Sequence, residues 1–186
     1  MKHTLCRVVA LTIVLALPFV SCSSPPTEQI QAAQKAMQQA QEQHAQEFAP
    51  ADWKNAQQAW DDAQSLITRQ KYADAAQLLM RAKSRFDKAR DIARAKREDL
   101  RRDIEGKRKT IDTRYENLKS ALSAQKLPPA AKKKLNESCQ GIDQGADKLK
   151  LEFDQGDYTQ ALNTAMITMR QVYEAEKEME KAGKAH

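Results

Sequence analysis

Apolar residues recur every three or four positions along most of the chain after residue 27, and this spacing constrains the fold more than any other feature. A helix turns once in about 3.6 residues, so the spacing places these side chains on one helix face. Strands favour aromatic and β-branched residues, but aromatic residues make up only 5% of the sequence, and it has five glycines. We therefore predict an all-α protein rather than a β-sandwich, a β-barrel or a glycine-loop nucleotide fold.

The first 22 residues have the three parts of a bacterial export signal. A basic start is followed by an apolar run, Val8 to Leu17, that is too short to span a bilayer. Residues 19–22, Phe-Val-Ser-Cys, then resemble the lipobox of bacterial lipoproteins, although Phe19 stands where Leu is usual. The resemblance implies that residues 1–21 are a signal peptide and that Cys22 carries the lipid. An ordinary secretory signal or a retained helical anchor is the open alternative.

The residue after the lipidated cysteine gives an expectation about location. Ser23 resembles the outer-membrane class of lipoproteins, so we expect a lipid-anchored, periplasm-facing protein with residues 22–26 as a tether. Cys6 would leave with the leader and Cys22 would be acylated, which leaves Cys139 alone. No intramolecular disulfide is then expected in the mature chain.

The body of the chain divides into five predicted helices. The dipeptide Ala49-Pro50, the turn before Tyr72, the prolines at 128–129 and Gly156 separate them. The third helix would be about 80 Å long, with a charged, solvated bridge between Arg94 and Lys109. The predicted helices cover residues 27–48, 51–70, 72–125, 130–154 and 158–182.

Two of the predicted turns resemble each other. Tyr72 and Ala75 follow one turn, and Tyr158 and Ala161 follow the other, with one extra residue before the second tyrosine. These junctions weakly resemble tetratricopeptide-type helical hairpins, in which such residues pack neighbouring helices. We predict two antiparallel three-helix blocks, residues 27–98 and 99–186, that share one long central helix and are held apart by it.

Catalytic chemistry is not supported by the sequence. No histidine pair has metal-ligand spacing, and no glycine-rich phosphate loop is present, so we expect no metal, no cofactor and no enzyme activity. His44 and Cys139 lie on helix stripes; His44 is expected to be buried or at the core boundary, and Cys139 to be a small buried core residue. Trp53 and Trp60, seven positions apart, are expected to pack in the core of the first block.

Basic residues are concentrated in the long helix and beyond it. Between Arg81 and Lys119 there are 15 Lys and Arg against eight Asp and Glu. Nucleic acid is not an expected partner, because the leader directs the chain out of the cytoplasm and stacking aromatic residues are missing. A solvated helix with intrahelical ion pairs is one interpretation. Contact with anionic envelope material is the other, and its candidate residues are Lys132, Lys133, Lys134, Arg101, Arg102 and Arg108.

Two functions remain after these exclusions. Together with the leader, the chain resembles small all-helical envelope lipoproteins, and this resemblance implies protein–protein contact. We expect a non-catalytic scaffold or adaptor that binds a protein partner in the cell envelope. The alternative is a structural spacer that touches peptidoglycan or anionic lipid through its basic helix and tip, and homo-oligomerisation stays open.

Overall fold

The computed structural model describes residues 24–184, so the leader, Cys22 and His186 lie outside the described part. About nine-tenths of the described residues are helical, and no strand occurs among them. The prediction of an all-α fold is confirmed. The helices are α1 (Thr27–Glu42), α2 (Ala45–Phe48), α3 (Pro50–Thr68), α4 (Tyr72–Ala124), α5 (Pro129–Asp154) and α6 (Tyr158–Lys184).

Helix α4 is the central element. It runs for 53 residues without interruption, which corresponds to about 80 Å. Strong helix formers fill it, and ion pairs three or four positions apart hold its charged surface together, such as Lys83 with Asp87 and Lys107 with Asp103. The helix ends before the prolines at 128–129, whose rings cannot continue it. The predicted bounds of this helix are confirmed to within one residue.

Three helices pack together on each side of the middle of α4. Helices α1 and α3 both lie against the N-terminal half of α4 (72–98), whereas α6 lies against both the C-terminal half of α4 and α5. The helix that contacts both others is the N-terminal half of α4 in the first block and α6 in the second. In each block this is the last helix in chain order. The predicted pair of three-helix blocks on one shared helix is confirmed.

The two blocks are not held apart, contrary to the prediction. Leu100 packs on the first core and Ile104 is fully buried in the second, so the cores are one helical turn apart on α4. The blocks also touch away from α4, where the Thr159 hydroxyl donates a hydrogen bond of 2.6 Å to a carboxylate oxygen of Glu47. The charged stretch around residue 100 is thus a seam between two cores.

Helix α4 in the first block and helix α6 in the second bury residues at equivalent positions, which lie 86 residues apart in the sequence. Six residues of α4 and six residues of α6 correspond one to one in this way. In α4 they are Ala75, Leu79, Ala82, Phe86, Ala89 and Ala93; in α6 they are Ala161, Ala165, Thr168, Val172, Ala175 and Met179. The second block is therefore a structural repeat of the first.

The predicted helix 27–48 is interrupted, which corrects the prediction for His44. Helix α1 ends at Glu42, and His44 adopts a left-handed backbone with φ of 57°. This conformation turns the His44 side chain into solvent rather than onto the apolar stripe. Helix α2 then restores the stripe, because Ala45 and Phe48 are buried. Trp53 and Trp60 pack on the first core as expected, and Trp53 meets the Phe86 ring at 5.1 Å.

Small residues set the distance between the helices of each pair. At equivalent positions the first block has Ala59 and Ala82, and the second has Gly145 and Thr168. A Cβ atom added at Gly145 would lie 3.2 Å from Cγ2 and 3.3 Å from Cβ of Thr168 and would contact its hydroxyl still more closely. The larger Thr168 is therefore accommodated only because its neighbour is glycine.

We predict that Gly145→Ala destabilises the protein and that Thr168→Ala relieves the effect. Alanine favours a helix more than glycine does, but its methyl group would overpack against Thr168, and this cost is larger. The single variant should therefore lose about 1 kcal/mol of unfolding free energy. The double variant reproduces the Ala–Ala pair of the first block, and the coupling should be about 1–3 kcal/mol. Urea unfolding followed by circular dichroism measures all four proteins. Additive effects would show that the two residues do not compete for space.

Candidate functional site

The two repeat junctions have the same backbone geometry. Gln70 (φ 57°) and Gly156 (φ 75°) are both left-handed. In each case the amide of the following residue donates to a carbonyl five positions earlier, at 2.9 Å for Lys71 and 3.0 Å for Asp157. This is the Schellman ending of a helix. The predicted extra residue before the second tyrosine is wrong, because the two turns superpose residue for residue.

Among the predicted junction residues, Ala75 and Ala161 lie in the helix interfaces, whereas Tyr72 and Tyr158 are partly exposed. Both alanines are fully buried. Tyr158 lies between the Phe153 ring, at 5.6 Å, and the Arg97 guanidinium, also at 5.6 Å, so it sits at the seam between the blocks. Tyr72 instead lines a hollow with residues 24–29, the end of the tether and the start of α1, at the other end of the first block.

The basic candidates of α4 are engaged in local contacts. Arg101 bridges Glu98 and Glu105 at 2.7 Å each, and Arg102 pairs with Asp99. The hydrogen bond from Arg101 lowers the pKa of the Glu98 carboxyl below its usual value. The Arg108 guanidinium lies over the Phe153 ring at 5.8 Å. These contacts agree with a solvated, internally paired helix surface.

The lysine tip is separate from these arginines. Lys132, Lys133 and Lys134 are exposed at the start of α5, near the C-terminal end of α4. Helix α5 has 26 residues, so the tip lies about 35 Å from Phe153 and Arg108. Lys134 pairs with Glu178 of α6, and Lys132 has no carboxylate within 4 Å in the described range. The structure does not bring the six predicted basic residues into one surface.

The remaining candidates for chemistry have structural surroundings. Cys139 is half-buried, and the Tyr115 hydroxyl donates a hydrogen bond of 3.1 Å to its backbone carbonyl. Burial raises the pKa of the Cys139 thiol, which lowers its thiolate content at neutral pH. Within residues 24–184 no group of three His, Cys, Asp or Glu could hold a metal ion. The same residues contain no helix long and apolar enough to cross a membrane.

A surface that the sequence analysis missed lies on α6. Five large apolar side chains of the described range are about half exposed, and three of them are on this helix: Met166, Ile167 and Tyr173. Met166 and Tyr173 alternate with two cations in one row along the helix, and successive members of the row are four, three and four positions apart. We call this row, Met166, Arg170, Tyr173 and Lys177, the α6 ridge.

A groove runs beside the α6 ridge, between α6 and α4. Leu162 and Met169 form its α6 wall and are partly buried against the second core. On the α4 side, Arg114 pairs with Glu176 and lies over the Tyr173 ring at 5.9 Å. Farther along, residues of both helices, including Glu176 and Glu180, line a hollow of about 450 Å³ near the end of α4 and α6. We call this surface the α4–α6 groove.

Comparison with the first block shows that the apolar ridge is not needed for folding. The positions equivalent to Leu162, Met166, Met169 and Tyr173, 86 residues earlier, are Ala76, Met80, Lys83 and Asp87. There, Lys83 and Asp87 form an exposed ion pair at 2.7 Å. The offset of 86 between the tyrosine junctions was the sequence signal that could have revealed this difference.

Comparison with known families gives one match. A domain of unknown function, DUF4398, matches residues 28–103, which span α1 to α3 and the N-terminal half of α4. The chain is similar to that family over these residues, which are less than half of its length. No curated protein and no solved structure matches the chain significantly.

We predict opposite effects of glycine exchange at the two junctions. A left-handed backbone disfavours a side chain, so Gln70→Gly should raise the free energy of unfolding by about 0.5–1 kcal/mol. Gly156→Gln should lower it by about 1 kcal/mol for the same reason. Thermal and urea unfolding of both variants give the values. Equal signs for the two changes would contradict the shared geometry of the turns.

Proposed function

We propose that this chain is an outer-membrane-anchored periplasmic lipoprotein that acts as a non-catalytic scaffold or adaptor for a protein partner. The observation that carries the proposal is the α6 ridge. Exposed apolar side chains beside a groove are typical of protein interaction sites, and the first block shows that the fold does not require them. The Met, Tyr and Arg of the ridge are residue types enriched at interfaces.

The arrangement of the helices supports an anchored adaptor. The tether residues 24–26 lead into α1 next to the N-terminus of α4. The α6 ridge lies along the C-terminal half of α4, which begins about 40 Å from that end. A lipid on Cys22 would therefore leave the ridge clear of the membrane surface and accessible to a partner.

One observation favours the spacer as a second candidate function. The exposed Lys132 to Lys134 cluster lies at the end of the molecule opposite the tether, about 80 Å away along α4. A cationic tip at that distance would suit contact with the acidic peptides of peptidoglycan or with anionic lipid.

We predict that crosslinking in intact cells captures one dominant protein partner with the full-length chain. Capture should fall at least about tenfold for Tyr173→Lys, because charge would enter an apolar contact. It should also be lost for Cys22→Ala expressed with a cleavable leader, which removes the anchor. Met80→Lys is the control, since it introduces the same charge at an exposed apolar residue of the first block, the equivalent of Met166, and should leave capture unchanged. Recovery of the chain alone would contradict the adaptor.

The spacer has its own test in sedimentation with purified peptidoglycan. If it is correct, Lys132→Gln with Lys133→Gln reduces binding at least about fivefold, and moderate salt abolishes binding of the parent chain. Arg102→Gln serves as the control, because Arg102 is already paired with Asp99. Equal binding by the tip variant and the control would exclude a role for the lysine tip.

A further inference from the structure

We propose that the α4–α6 groove binds an amphipathic helix with an acidic flank, supplied by the protein partner. This inference rests on the proposed adaptor function and specifies the partner's chemistry. It follows from the juxtaposition of three features: a groove with apolar residues at helical spacing, a row of unpaired cations along its rim, and the absence of both features from the repeated first block.

The groove has the length and spacing that a helix requires. Leu162, Met166, Met169 and Tyr173 are four, three and four positions apart, which is the heptad pattern of a helix–helix contact. Leu162 to Tyr173 spans 12 residues of α6, or about 18 Å, enough for about three turns of a bound helix. Beyond them, the hollow near the end of α4 and α6 is lined by Leu118, Ala121 and Met179 together with Glu176 and Glu180.

The rim of the groove carries positive charge without local partners. Arg170 and Lys177 are exposed, and neither has a carboxylate oxygen within 4 Å among residues 24–184. Arg114, on the opposite wall, is by contrast neutralised by Glu176. The four residues of the α6 ridge include no carboxylate, and the neighbouring Glu174 and Glu176 form no ion pair with Arg170 or Lys177. A bound helix with Asp or Glu beside its apolar stripe would complement these cations.

Two other occupants fit less well. A second copy of the chain would place its own Arg170 and Lys177 against the same residues, because a two-fold contact between like ridges is self-complementary. The resulting like-charge contacts oppose dimerisation through this surface. An anionic membrane would satisfy the cations, but Leu162 and Met169 are recessed below the ridge, where a flat lipid surface does not reach and the side chains of a helix do.

The decisive experiment replaces Tyr173 by a photo-crosslinking amino acid in the full-length chain in intact cells. The crosslinked peptide is then identified by mass spectrometry. We expect a segment of one envelope protein with apolar residues at heptad spacing and an excess of Asp and Glu. The same amino acid at Met80, the exposed apolar residue of the first block that is equivalent to Met166, should not capture this segment.

Charge reversal tests the electrostatic part of the inference. Arg170→Glu with Lys177→Glu should lower the yield of that crosslink at least about tenfold, whereas Arg170→Lys should preserve it. Circular dichroism of each variant verifies the helical fold. Lys83→Glu with Lys88→Glu reverses the same number of charges on the first block and should leave the yield of the crosslink unchanged.

Each other outcome overturns the inference. A crosslink to a basic or non-helical segment, to a second copy of the chain, to lipid alone or to nothing excludes the acidic helix. An unchanged yield after charge reversal excludes the role of Arg170 and Lys177. If the crosslinking of whole cells still finds one partner that depends on the Cys22 anchor, the adaptor function stands and only its partner chemistry is wrong. If no partner is found, both proposals fail.

Discussion

The close packing of small residues on the third helix of each block is the contact on which the rest of the fold depends. Alanine at positions such as 75, 82, 89 and 93 of α4 allows α1 and α3 to lie against one helix at once. In α6 the same offsets are buried, and Gly145 of α5 makes room for Thr168. Because the first core has few large buried side chains, much of its stability must come from this close approach.

Most of the fold could be predicted because helix stripes and prolines are local signals. The apolar spacing and the prolines at 50 and 129 define the helices to within a few residues. The left-handed His44 and Gln70 could not be predicted, since neither position has the glycine that usually marks such a backbone. The contact between the blocks at Glu47 and Thr159 joins residues 112 positions apart, which no local pattern encodes.

The candidate site was less predictable than the fold for a physical reason. A stripe on a helix shows which residues share a face, but exposure depends on how many neighbours cover that face. Helix α6 has neighbours on two sides, so Leu162 and Met169 are partly covered whereas Met166 and Tyr173 are not. The basic residues were overestimated for a related reason. The density of charge predicted an accessible basic surface at Arg101 and Arg102, but carboxylates on the same helix neutralise both residues.

The two blocks agree at the buried positions of their central helix and differ at the exposed ones, so packing constrains only the buried face. Both blocks bury the same six offsets of their central helix, so the buried face is constrained in the same way in each. The outer row is unconstrained by that packing, and there the copies diverge from an ion pair at Lys83 and Asp87 to apolar Met169 and Tyr173. Exposed apolar residues offer no folding benefit that an ion pair lacks, whereas they stabilise a complex by excluding water. Under the proposed function, the first block therefore positions the second relative to the anchor, and the second block binds.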